Sequence, residues 1–273
     1  MIYSLVIDTW LGQGPVDVAA LDGVSGGIAR LNSCNGLLKR DPSFDAAWKS
    51  YERLPARGLY FVYHPDMTGF ANHAFLEANA PLDCTAFFVD VEIRPLSHDG
   101  GFVAAQLAEF VKRFRAIYPD ALLCIYTGGW FIPEINYWPR DVDYWYSRYP
   151  YALYPDPKQL GLVKRVSWDW VRMAIDAFDA SQPAGAWAWM RSGSQGSNAF
   201  RIGPVKLWQA MADRHIVPGS DHIMDINIFP GSVDELRAWF KMTGTPPVII
   251  PAELTIDEKV SRLWAAHPEL HDR

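Results

Sequence analysis

Apolar positions along this chain fall into short runs that alternate with longer amphipathic stretches, the pattern of βα units laid around a sheet. The runs that read as strands are 4–8, 27–32, 58–63, 86–93, 121–127, 144–149, 205–209 and 223–229. Between them the period changes. Val103, Leu107, Phe110, Phe114 and Ile117 recur at helical spacing, and Pro119 ends the run, so 102–118 is a predicted helix. A second is predicted over 45–54, with Gly58 before the next strand. Eight strands, with helices mainly in the first half, predict an α/β fold: a closed barrel in which the later helices are lost or irregular.

Residues 150–204 break the rhythm. Trp168, Trp170, Trp187 and Trp189 stand there beside the Ser- and Gly-rich stretch from Arg191 to Ser197. We read an excursion between two late strands with one helix near 168–178, either bordering a cleft or decorating the outside. Ser232 and Glu235 have capping-box spacing and open a helix through Leu236, Trp239 and Phe240. A Pro-rich linker follows over 241–252. A second capping box, Thr255 with Glu258, precedes Val260, Leu263 and Trp264. The expected organisation is a barrel over 1–240, the linker, and a helical tail over 253–273.

Composition narrows the function classes. The 273 residues are 49% hydrophobic, which fits one large domain. No apolar run reaches the roughly 18 residues needed to cross a membrane. The N-terminus runs straight into a strand, with no basic region and no cleavage site, so we expect synthesis in the cytoplasm without a signal peptide. Three cysteines, Cys34, Cys84 and Cys124, lie in or beside apolar runs and read as small buried residues. A net charge of −6 leaves no basic footprint for nucleic acid. It also gives no long-range attraction to an anionic surface, so affinity for one must be local. The 12 Trp, 12 Tyr and 14 Phe exceed what a core alone suggests, and part of them is expected to stack on sugars. The histidines form no recognised metal pattern, no Gly-x-Ser-x-Gly elbow is present, and neither metal nor cofactor is expected.

The carboxylates carry the chemistry. In Ala86–Ile93 the alternation puts Phe87, Val89, Val91 and Ile93 on one face, with Ala86, Phe88, Asp90 and Glu92 on the other. In a barrel the all-apolar face meets the helices, so Asp90 and Glu92 point inward near the strand's C-terminal end. Two carboxylates with pKa values pushed apart suit acid catalysis near neutral pH. Asp8 ends the first strand, and Asp225 shares a face with Asn227 in the last. First and last strands of a closed barrel are neighbours, so all four acids would form one floor. An acidic floor fits a glycosidase, whose transition state is positively charged.

The order Asp8, Asp90-Val91-Glu92, Asp225-Ile226-Asn227 resembles the glycoside hydrolase family 25 lysozymes. Tyr63-His64, Tyr126-Thr127, Trp145 with Tyr149, Leu207-Trp208-Gln209, and Asp41-Pro42-Ser43-Phe44 before Trp48 match further landmarks. The resemblance covers roughly residues 3 to 231 and implies an N-acetylmuramidase on a modified TIM-like barrel of eight strands with fewer helices, (β/α)5(β)3, acting on peptidoglycan glycan strands. It implies Glu92 as acid and then base, and Asp90 orienting the substrate acetamide that attacks the anomeric carbon. Asp8 and Asp225 would hold the constellation, although an inverting route with Asp225 as base stays open. Tyr63, Tyr126, Trp145, Trp208, Gln209 and Asn227 would bind substrate. The absence of a signal peptide suits an endolysin released through a separately made membrane pore, and equally a virion-borne lysin or a shortened chain. Departures are Trp10, where the family carries Ser, the sequence Arg30-Leu31-Asn32-Ser33 in place of one like Lys-Ala-Thr, and the length of 150–204. Rivals are a chitinase, disfavoured by Phe88 where that group has an Asp, and a non-catalytic wall-binding or phage structural protein.

Overall fold

A computed structural model describes residues 2–13, 16–33, 38–150, 153, 163–193, 198–212 and 214–243. Cys34, the tail over 253–273 with its capping box, and all but the first three residues of the linker lie outside these. Ten strands form: β1 (Ser4–Thr9), β2 (Val24–Arg30), β3 (Ala56–Val62), β4 (Ala86–Asp90), β5 (Leu122–Gly128), β6 (Asp143–Ser147), β7 (Lys164–Arg165), β8 (Val205–Met211), β9 (His215–Ile216) and β10 (Asp225–Phe229). Eight of them close a barrel in the order β1-β2-β3-β4-β5-β6-β8-β10 and back to β1. Seven run parallel, while β10 is antiparallel to both neighbours. The eight barrel strands are the eight read from the sequence, and β7 with β9 adds a small parallel pair outside.

Strand alternation divides the core into two layers. Val6, Ile28, Tyr60, Val62, Phe88, Tyr126, Trp145 and Leu207 fill the barrel. Leu5, Ile7, Ala29, Phe61, Val89, Ile125 and Trp208 face outward and are covered by helices and loops. One detail departs from the expected strand 86–93. Pairing in β4 stops at Asp90, and Ile93, expected on the outer face, packs against the inner cluster.

The expected helices form as α1 (Phe44–Ser50), α3 (Gly100–Ile117), α4 (Trp168–Ser181) and α6 (Val233–Trp239). Two were not legible, α2 (Gly69–Asn79) and α5 (Gly185–Met190). The buried face of α2 is Gly69, Asn72, His73 and Leu76, helical in spacing but mostly not apolar. Asn72 earns burial by closing the β3–α2 loop, accepting from His64 N at 2.9 Å and donating to His64 O at 3.0 Å. Strands β1 and β5 are followed by 3-10 turns, Leu11–Gln13 and Ile132–Glu134, rather than α-helices. The described part of the excursion packs α4 and α5 on the outside of β8, where Phe178, Trp187 and Trp189 surround Trp208 with ring centroids 6.2–6.5 Å away.

Helix α6 plugs the barrel's lower end. The predicted capping box is present between Ser232 and Glu235. Trp239 packs on Phe88 and Phe229, and Phe240 on Phe88, with centroids 5.3–5.8 Å apart. Leu236 is fully buried in the inner cluster. Leu236→Ala should therefore cost about 2–5 kcal/mol, read as a lower urea midpoint, because removing a fully buried side chain leaves a cavity.

The interior also sets a pH dependence. His215 is fully buried, stacks on Trp170 at 5.7 Å and contacts Leu153 O at 3.1 Å through Nε2. Burial, above all, pushes its pKa down to about 4. His64 and His73 are lowered for the same reason. A base with a depressed folded pKa is neutral in the fold and takes up its proton on unfolding. The stability it contributes is complete above about pH 6.5 and is lost as pH falls toward 4. Urea unfolding across that window should show a decline, and His215→Phe should flatten it.

Candidate active site

At the mouth of the barrel the inward-facing positions change from apolar to polar. Asp8 on β1, Arg30 on β2, Tyr60 on β3, Asp90 on β4, Tyr126 on β5, Trp145 on β6, Gln209 on β8 and Asp225 on β10 line a cleft of about 390 Å³. Glu92, half-buried just beyond β4, lines it too, as do Trp10, Trp130 and Tyr149 from the loops. The four acids expected to converge thus share one cavity.

Asp8 and Asp225 are direct partners across the antiparallel pair, an arrangement that like charges oppose. Amides answer it. Asp8 Oδ2 accepts from Asn227 Nδ2 at 2.7 Å and from Gln209 Nε2 at 3.4 Å. Asp225 Oδ2 accepts from Gln13 Nε2 at 3.4 Å. The Asn227 amide is fixed in orientation, since Nδ2 also donates to Val6 O at 3.1 Å while Oδ1 accepts from Trp145 Nε1 at 2.7 Å. Gln209 is fixed as well: its Oε1 accepts the hydroxyl of Tyr126 at 2.8 Å and that of Tyr149.

Burial raises the Tyr60, Tyr126 and Tyr149 hydroxyls well above the usual tyrosine range, and nearby carboxylates add to it. These are Asp8, Asp90 and Asp225 for Tyr60, Glu92 and Asp90 for Tyr126, and Asp225, Glu92 and Asp8 for Tyr149. The three tyrosines therefore keep their protons and are neutral. Arg30 is the cation of the cleft lining. Its Nε and Nη2 reach Asp41 Oδ2 at 2.8 and 2.7 Å, and its guanidinium lies 4.8 Å from the centre of the Trp10 ring. Bonds from Ser43 and the charge of Arg30 outweigh burial and hold the Asp41 carboxyl below its usual range.

Two expected substrate contacts sit elsewhere. Tyr63 and Trp208 are fully buried in the outer cluster, Tyr63 against Phe110 and Trp208 donating to Arg148 O at 2.8 Å. Neither lines the cleft. The cause is parity: Tyr63 follows outward-facing Leu59 and Phe61, and Trp208 lies between inward-facing Leu207 and Gln209. Trp145, Tyr126 and Gln209 do line the cleft, and Asn227 lies just beneath, between Asp8 and Trp145. Tyr60, Trp10, Arg30, Gln13 and Trp130 were not named as site residues. Counting back by two from Val62 would have found Tyr60; the others sit on loops or at a strand end, where alternation gives no guidance. Among the described residues no group of three His, Cys, Asp or Glu side chains is placed to hold a metal ion.

Comparison with solved structures finds the same architecture. The chain is similar to a family 25 glycosyl hydrolase from Bacillus anthracis, with 13% identity over 87% of this chain and 93% of that one, at a TM-score of 0.57. It is similar to the catalytic domain of endolysin ply40 from bacteriophage P40 of Listeria monocytogenes, with 17% identity over 87% and 97%, at 0.53. It is also similar to the spore cortex lytic enzyme SleM of Clostridium perfringens, with 16% identity over 85% and 69%, at 0.58. The chain shares their fold. No protein-family model matches the sequence, and no curated protein matches it significantly.

The amide network makes a prediction of its own. Asn227→Leu removes the donor 2.7 Å from Asp8 Oδ2 and the acceptor 2.7 Å from Trp145 Nε1, and both residues are buried. Unpaired buried groups cost about 1–3 kcal/mol each, so urea unfolding should show a loss of about 2–5 kcal/mol.

Proposed function

We propose that the chain is a lysozyme, hydrolysing the β-1,4 bond between N-acetylmuramic acid and N-acetylglucosamine in bacterial peptidoglycan. The observation that carries this reading is the meeting of Asp8, Asp90, Glu92 and Asp225 in one cleft at the mouth of the barrel. The shared fold with a family 25 glycosyl hydrolase and an endolysin catalytic domain supports it.

In this reading Glu92 protonates the glycosidic oxygen as the bond breaks. Asp90, on the same strand end, accepts the N–H of the substrate's acetamide and turns its carbonyl oxygen toward the anomeric carbon. That oxygen displaces the leaving sugar and forms an oxazolinium ion. Glu92, now a carboxylate, takes a proton from water as the water opens the ring, so the β configuration is retained. Asp8 and Asp225 oppose the positive charge that develops on the sugar, as the carboxylates of glycosidases do. Tyr126, Trp145 and Gln209 form the inner wall on which the reacting sugar rests, with Asn227 holding Asp8 and Trp145 in place. The site of action is the bacterial cell wall.

Digestion of purified peptidoglycan, borohydride reduction and mass spectrometry test the reaction. Reduced muramic acid ends are expected; reduced glucosamine ends, or no new ends, would overturn the assignment. Glu92→Gln should abolish release with the unfolding midpoint unchanged, and full activity in that variant would remove Glu92 from its role. Asp90→Asn should slow turnover by about 100-fold or more if Asp90 orients the reacting group. Proton NMR of the first product should show the β anomer; an α anomer would replace the retaining route by an inverting one.

A further inference from the structure

Trp10 occupies a position that the sequence marks as unusual, and the structure fixes its side chain from several directions. The Arg30 guanidinium stands 4.8 Å from its ring centre, and Arg30 is itself anchored on the buried Asp41. Gly12 lies against the indole: a Cβ there would come within 2.2–2.7 Å of Cη2, Cζ3 and Cζ2. The Trp10 backbone N–H donates at 3.0 Å to Oε1 of Gln13, a fully buried side chain whose Nε2 reaches Asp225. The loop that carries Trp10 is thus tied to the acidic floor.

The barrel order places this wall in the cleft. Trp10 follows β1 and Trp130 follows β5, four strands away in a ring of eight, and both line the cavity that holds the acids. A glycan strand lying across the mouth passes one of these tryptophans on each side of the reacting bond. An indole immobilised before substrate arrives spends no conformational entropy on binding and offers a large apolar surface to the C–H face of a pyranose.

We infer that Trp10 is a substrate-binding, specificity-determining residue that holds a sugar ring of the glycan on the β1 side of the cleft, with Arg30 and Gly12 as positioning residues that fix the indole. The inference rests on the glycan-cleaving reading above. It also requires that disturbing the indole indirectly has the same effect as removing it.

The test measures binding apart from turnover. Calorimetry with a peptide-free tetrasaccharide of alternating N-acetylglucosamine and N-acetylmuramic acid is carried out in the Glu92→Gln background. Trp10→Ala should weaken binding by about tenfold, and Trp10→Phe by much less, since an aromatic face remains. Gly12→Ala, which displaces the indole, should weaken it as Trp10→Ala does. In the active enzyme the same substitutions should raise KM for that substrate by the same factor and leave kcat within about twofold, the signature of uniform binding. Unchanged binding in Trp10→Ala overturns the inference, as does a fall in kcat with KM unaltered. Should Trp10→Ala fail to fold, Trp10→Phe and Gly12→Ala decide it: Gly12→Ala binding as tightly as the parent overturns it. Cleavage by the parent with no effect at Trp10 sinks this inference alone. Tetrasaccharide binding without cleavage sinks the lysozyme reading and leaves the Trp10 assignment standing. An absence of both overturns the two together.

Discussion

Acidic side chains collected at one mouth of a closed barrel repel one another, and much of the polar structure around them answers that repulsion. Two of the four acids, Asp8 and Asp225, face each other across a single pair of antiparallel strands. Neutral amides donate to both: Asn227 and Gln209 to Asp8, Gln13 to Asp225. An amide satisfies a carboxylate's lone pairs without cancelling its charge. Such donors leave the charge of the carboxylate in place, whereas a lysine or arginine in the same position would offset it.

The cleft lining also carries a cation, Arg30. Its charge is shared with Asp41, a carboxylate fixed by Ser43 and by the backbone N–H of Leu11. That ion pair is buried and costs desolvation, which good geometry and several donors offset. What it yields is position: a flat guanidinium beside a flat indole.

Barrel parity made the fold legible, and it decided the site as well. The eight strands were readable because each crosses a two-sided core and alternates on a short apolar run. Asp8, Asp90 and Asp225 were readable because an acid in such a run has one way to face. Tyr63 and Trp208 match the family's landmarks but do not line the cleft, because both fall on outward-facing positions, Tyr63 just past β3 and Trp208 within β8. Helix α2 was hidden because its buried face uses Gly, Asn and His, chosen for close approach and hydrogen bonding. Trp10 was noticed as a departure, but its role depends on Arg30 and Gly12, contacts that no local pattern reveals.

The lone antiparallel strand has a consequence for modularity. Because β10 enters at the mouth with Asp225 and leaves at the base with Phe229, the register pairs its last residue with Ser4, near the start of the described chain. Both ends of the barrel's chain therefore meet at the plugged base, about 13 Å from Asp8 and Asp225 by strand rise alone. A tether or partner domain fused at either end would hold the barrel by its closed side and leave the mouth of the cleft unobstructed.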